Sequence, residues 1–431
     1  MKRPLVILFA LPALAAVGYF APPHDGDAAD RAVRLVEAGQ HTFRFDTFGD
    51  EAFWSGALGL HRTIAGASNG GIGPGLSLRT AAAVGLKIDV DELEGRTRSD
   101  LRHGRVDFDS PATTLTMLRQ NAVVGVIGTF DHHDQLTAVG VTCALCHSTV
   151  DNSMAAGVGH RRDGWPNRDL NVGAIIAFAP NLTPIANLLG TTPEVVRAVL
   201  GTWGPGKFDA HLLLDGQTSR PGGGSAAVVL PATFGLGGVD RATYEGWGGI
   251  AHWNAFVGNL EMGGSGTVFE PRLDDPVKYP IAAASGAGHT RAAVDRITAK
   301  LPELQLYELA LPVPEPPAGS FDAQAAERGR LLFQGVARCD RCHVAPIYSE
   351  PGFPMHTAAE IGIDDFQARR GPYDRYRTTP LRGLFAKTTG GFYHDGRFPT
   401  LSAVVDHYDQ HLQLGLSAAQ RHDLVEFLKS L

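Results

Sequence analysis

The sequence predicts a mainly α-helical protein of two domains, built from short helices and long loops, with an enlarged first domain. Three observations predict this. The 431 residues are 44% hydrophobic and only 19% charged, the composition of a globular chain long enough for more than one core. The 52 glycines and 27 prolines leave little room for long regular elements. Pro312, Pro314, Pro316 and Pro317, ending in Ala318-Gly319-Ser320, read as a stiff linker over 309–320. That linker separates a first region, 30–308, from a second, 321–431. A few strands are expected within 210–280. A net charge of -7 supplies no basic footprint and argues against nucleic acid as a partner.

The N-terminus has the pattern of an export signal. Lys2 and Arg3 precede an apolar run from Leu5 to Phe20, and Ala13, Ala15 and Ala16 offer a cleavage site. The run is shorter than the roughly 20 residues of a spanning helix. Residues 1–22 are therefore expected to direct the chain to the periplasm, with a membrane involved only if the signal stays uncleaved.

The four cysteines occur in two copies of one pattern, Cys143-Ala144-Leu145-Cys146-His147 and Cys339-Asp340-Arg341-Cys342-His343. Two thiols at this spacing reach the two vinyl groups on one edge of a porphyrin, and the adjacent His ligates the iron. Two disulfides or one four-cysteine zinc site would not call for a His after each pair. The pattern thus implies two covalently bound haem c groups, one in each of two cytochrome c-like domains. The iron ligands are His147 and His343.

Around the second motif, residues 321–333 have helical spacing, with Gly329 four residues ahead of Phe333. A small residue and an aromatic at that offset suit a close helix crossing. The partner is the C-terminal helix, with Ser417 as N-cap and Leu424, Val425, Phe427, Leu428 and Leu431 as its apolar stripe.

The segments 376–384 (YRTTPLRGL), 391–401 (GFYHDGRFPTL) and 404–408 (VVDHY) resemble the C-terminal haem domain of bacterial di-haem cytochrome c peroxidases and MauG-like enzymes. The resemblance covers roughly 321–431, while the first region shares little beyond the haem motif and is longer than the family's first domain. In the peroxidases a Met follows the His of the His-Asp-Gly run by about fourteen residues and is the distal ligand of the second iron. Here that position is Tyr408, as in MauG-like enzymes, which implies Tyr408 as a metal ligand. The alternative is that Tyr408 packs on the haem while His407 or Met355 ligates. The resemblance also implies haem-propionate or interface contacts for His394 and Arg397, and a calcium ion between domains.

Its further implication is a reactive N-terminal haem fed with electrons by the C-terminal one. The partners would be hydrogen peroxide or another small oxidant and a periplasmic electron donor or acceptor protein. Breaking the peroxide bond needs a distal acid–base group, for which His160, Asp163 and Glu261 are the catalytic candidates. Arg161, Arg162 and Arg168 are suited to propionates. Trp165 could pass electrons between haems, or simply be core. Trp203, Trp247, Trp253, Asn254 and Met262 could each line a pocket. A non-catalytic electron carrier is the alternative function, and an oxygenase acting on an organic substrate is a third.

Overall fold

The computed structural model describes residues 25–431, and the expected signal peptide lies outside them. Helix Asp25–Phe45, 21 residues long, comes first and exceeds the short helices expected. Its Gly39 faces helix Leu301–Ala310 so closely that a Cβ there would stand 2.1 Å from the Glu303 carbonyl oxygen and 2.7 Å from the Tyr307 Cβ. Four residues on, Phe43 is fully buried and meets the Tyr307 ring edge-on, with centroids 5.5 Å apart. Residues four apart share a helix face, so the glycine opens the contact and the aromatic fills the space beyond it.

The same construction recurs in the second region. Helix Ala323–Gln334 crosses helix Ala418–Ser430, and a Cβ on Gly329 would stand 2.0 Å from the Asp423 carbonyl oxygen and 2.8 Å from the Phe427 Cβ. Phe333 then meets Phe427 at 5.1 Å. Both helices start on side-chain caps: Asp322 accepts from the Gln324 and Ala325 amides, and Ser417 forms a reciprocal box with Gln420. Each crossing brackets one Cys-x-x-Cys-His motif in the chain.

Between the two helices of the first crossing lies the enlarged region. Its longest strands, Val126–Phe130 and Leu136–Val141, form an antiparallel hairpin whose turn carries the exposed His132 and His133. Ser148–Val150, directly after the first motif, pairs with Arg161–Asp163. Among the described residues the expected strands of 210–280 reduce to Val228–Val229, paired with Lys207–Phe208. Aromatic packing takes the place of strands there: Trp247, fully buried, packs against Phe256 and Tyr279 and donates its Nε1–H to His211 at 3.1 Å. Trp253 stacks on Phe256 at 4.9 Å.

The helix Leu301–Ala310 runs into the stretch expected to be linker, and Leu311 beyond it is still buried. One core gathers residues from Phe43 to Leu311, and another gathers Phe333, Leu384, Val405, Leu424, Phe427 and Leu428. Arg370, 2% exposed, ties the second region to the first by donating to Asp215 at 2.7 Å and 3.0 Å and to Asp209. Among the described residues no helix is long and apolar enough to cross a membrane.

Candidate haem sites

In both motifs the histidine is prepared as a neutral ligand. Cys143 precedes the short helix Ala144–His147, and the His147 Nδ1 meets the Pro231 carbonyl at 3.1 Å. In the second motif the His343 Nδ1 meets the Tyr348 carbonyl at 3.0 Å. A carbonyl can only accept, so Nδ1 carries the proton and the Nε2 lone pair is left for a metal. Burial lowers both imidazoles to about 4, which keeps them neutral at physiological pH. None of the four cysteines is in a disulfide, and the two pairs belong to different cores, so they do not converge on one zinc ion. These features fit two covalently held haems.

The surroundings of the first motif are acidic in an unusual way. Glu261 ends a π-helical turn, Val257–Glu261, that continues helix Ile250–Phe256. Such turns are frequent at functional sites. Its Oε1 is buried without a hydrogen-bond partner, and burial followed by the nearby Asp209 raises its carboxyl to about 8. Glu261 in turn lies within Coulombic reach of Cys146, whose thiol is raised to about 12, chiefly by burial. On the Cys143 side, Glu308 is 4% exposed, accepts from the Asn254 amide at 2.7 Å, and is raised to about 7 by burial. Two carboxyls able to hold or release a proton near neutrality thus flank one motif.

The other two acid–base candidates are placed differently. His160 is exposed and pairs with Asp91 at 2.9 Å. The Asp163 side chain is almost fully buried and is taken up by Arg44 at 2.5 Å, Ser148 at 2.7 Å and Tyr307 at 2.6 Å. That network braces the Arg161–Asp163 strand against the first helix crossing and does not join Glu261.

At the second motif, Tyr408 lies within Coulombic reach of both Cys339 and Cys342, and its ring stands 6.3 Å from that of Tyr393. His407 is tied through Nε2 to the Ile361 carbonyl at 2.9 Å, and Met355 packs against Gly246. Tyr408 is itself within hydrogen-bond reach of the Tyr393 hydroxyl, so each of the three candidates for distal ligand has a neighbour that engages it. Beside Cys342, His356 pairs with Glu350 at 2.6 Å and is raised to about 9, Cys342 being the first cause. Cys342, Glu350 and His356 are the one group of three such side chains close enough to share an ion among the described residues. With a thiol and an imidazole it is not the oxygen-rich set that calcium takes.

His394 is 2% exposed, stacks on Tyr376 at 5.0 Å and leaves its Nε2 without a partner, and burial lowers it to about 3. Arg397 is engaged by Asp364 and Asp395. Arg161 is buried against Asp89 at 2.7 Å, and Arg162 lies over the Trp165 ring. Trp165 itself meets Phe385 of the second region edge-on at 5.6 Å and Phe234 at 6.4 Å.

No family model matches the chain. Over 150 residues it is 27% identical to the cytochrome-c peroxidase IdrP1 of Pseudomonas sp. strain SCT, covering 24% of this chain and 39% of that protein. Over 122 residues it is 31% identical to the methylamine utilization protein MauG of Methylorubrum extorquens, covering 25% of this chain and 34% of MauG. The chain is related to the cytochrome-c peroxidases and MauG. The matches span about two fifths or less of the length of those relatives. Among solved structures, a MauG-like protein associated with microbial copper homeostasis aligns at 18% identity with a TM-score of 0.33, covering 52% of this chain and 81% of that one.

Sequence reasoning did not single out the buried Glu308 carboxyl. A signal for it was present: Glu308 shares the buried face of its helix with Leu304 and Tyr307, where a carboxylate is uncommon.

Proposed function

We propose that the protein is an exported, periplasmic di-haem c-type cytochrome acting as a peroxidase or MauG-like oxidase. Cys143, Cys146 and His147 hold one haem c, and Cys339, Cys342 and His343 hold the other. Haem held at the first site would supply the redox chemistry for peroxide cleavage. The chain's contribution there is Glu261, which takes the proton from the inner peroxide oxygen and delivers it to the outer one. Glu308, held by Asn254, is the second proton-carrying group at that motif.

Tyr408 would help hold the second haem, which would then supply electron transfer. Trp165 and Phe385 meet where the two regions join, which suits them to carry electrons from the second site to the first. The electrons come from a periplasmic donor protein, or the oxidising equivalents pass to a partner.

The observation that carries this reading is the buried, unpartnered carboxyl of Glu261 next to the first motif. Its test is the pH profile of peroxide turnover. Because the unprotonated carboxylate is the proton acceptor, the rate is expected to rise as pH passes about 8. Glu261→Gln is expected to flatten that rise and lower kcat/KM by about 100- to 10,000-fold. A profile unchanged by the substitution would remove Glu261 from the chemistry.

A further inference from the structure

Three cations lie at the junction of the two regions, and none donates a hydrogen bond to an anion. Arg168 comes from the loop after the first motif; Arg377 and Lys387 come from the second region. Arg168 is 8% exposed; its Nη1 donates to the carbonyls of Thr389 at 3.0 Å and Gly391 at 3.4 Å, and its Nε is buried without a partner. Lys387 donates to the carbonyls of Pro380 at 3.2 Å and Arg382 at 2.9 Å and stands over the Phe234 ring. Arg377 donates to the carbonyls of Thr243 and Thr378. Every partner is a neutral carbonyl.

Both arginines act on Lys387. Burial first, then Arg168 and Arg377, draw Lys387 down to about 7, and burial lowers both arginines. The acidic and phenolic groups within reach form no ion pair with the three. Glu245 is buried, which raises its carboxyl, and it accepts no hydrogen bond from the three cations. Asp395 is paired with Arg397, and the Tyr244 hydroxyl donates to the Val229 carbonyl. Elsewhere this chain pairs its buried arginines, Arg161 with Asp89 and Arg370 with Asp209 and Asp215. Burying charge without a counter-charge is costly, and fork-shaped guanidinium donors match carboxylate geometry.

We propose that Arg168, Arg377 and Lys387 form a carboxylate-binding site that spans the junction of the two regions. The carboxylates are either haem propionates or a free small carboxylate. The first source rests on the di-haem reading above; the second does not.

The test uses the haem-loaded protein and two readouts. One is the midpoint potential of each haem by spectroelectrochemistry; the other is thermal stability against acetate concentration. With propionates as the occupants, Lys387→Met and Arg168→Gln each shift at least one potential downward, because removing a positive charge favours the ferric state. Lys387→Arg keeps the wild-type value, and acetate has no effect. With a free carboxylate as the occupant, the potentials stay fixed. Acetate then raises the wild-type Tm in a saturable way, and Lys387→Met abolishes that rise. Unchanged potentials together with no acetate effect would overturn the proposal. A protein inert to peroxide would sink the peroxidase reading and leave both of these readouts intact.

Discussion

At the scale of single residues, Tyr408 and Glu261 divide the work by their surroundings. Burial first, then Cys339 and Cys342, raise the Tyr408 phenol, so a tyrosinate at this position requires the positive charge of a bound iron. An anionic oxygen ligand favours the ferric state, whereas Met and His together raise the potential. Tyr408→Met is therefore expected to move the midpoint potential of the second haem upward, measured by spectroelectrochemical titration. An unmoved potential would mean that Tyr408 only packs there. Tyr408 came only through the family resemblance, whereas the two Cys-x-x-Cys-His motifs could be read from spacing, because local chain geometry dictates them. The choice among His160, Asp163 and Glu261 could not. The register Ser148↔Asp163 commits Asp163 to the strand pair, and His160 falls outside it facing water.

At the scale of elements, the glycine contact between helices is the unit that the chain uses twice. A Cβ on Gly39 meets backbone, which cannot move aside as a side chain can. Gly39→Val is expected to cost about 1–3 kcal/mol or more through overpacking, seen as a lower Tm with haem still attached. A wild-type Tm would show that the helices separate freely at that point. The Gly329–Phe333 pair was legible because its partner helix, at the chain end, has a clear apolar stripe. The pair Gly39–Phe43 has identical spacing and was not read. Most of helix Asp25–Phe45 before it is exposed, so its periodicity is weak, and its partner lies beyond the whole enlarged region. The strands of 126–163 were missed for a related reason: each is short, and pairing rather than composition holds them.

At the scale of the whole molecule, the first region buries several carboxyls that keep their protons. Burial is the main cause in each: Asp50 is raised to about 9, Glu308 to about 7 and Glu261 to about 8. The folded chain holds protons that the unfolded chain has already released above about pH 4–5. Stability from these groups is therefore full below that range and is lost as pH rises through about 7 to 9. Tm is expected to fall between pH 5 and pH 9, and Asp50→Asn is expected to reduce the slope. A flat or rising Tm over that window would contradict the protonated state of these groups.

The central claim is that one of the two haem sites is open and reactive while Tyr408 closes the other. Low-temperature EPR of the oxidised, haem-loaded protein, with an optical spectrum before and after peroxide, tests it most directly. One high-spin and one low-spin ferric signal are expected, with peroxide altering the spectrum. Two low-spin signals, unchanged by peroxide in both the oxidised and the half-reduced protein, would contradict it and leave an electron carrier.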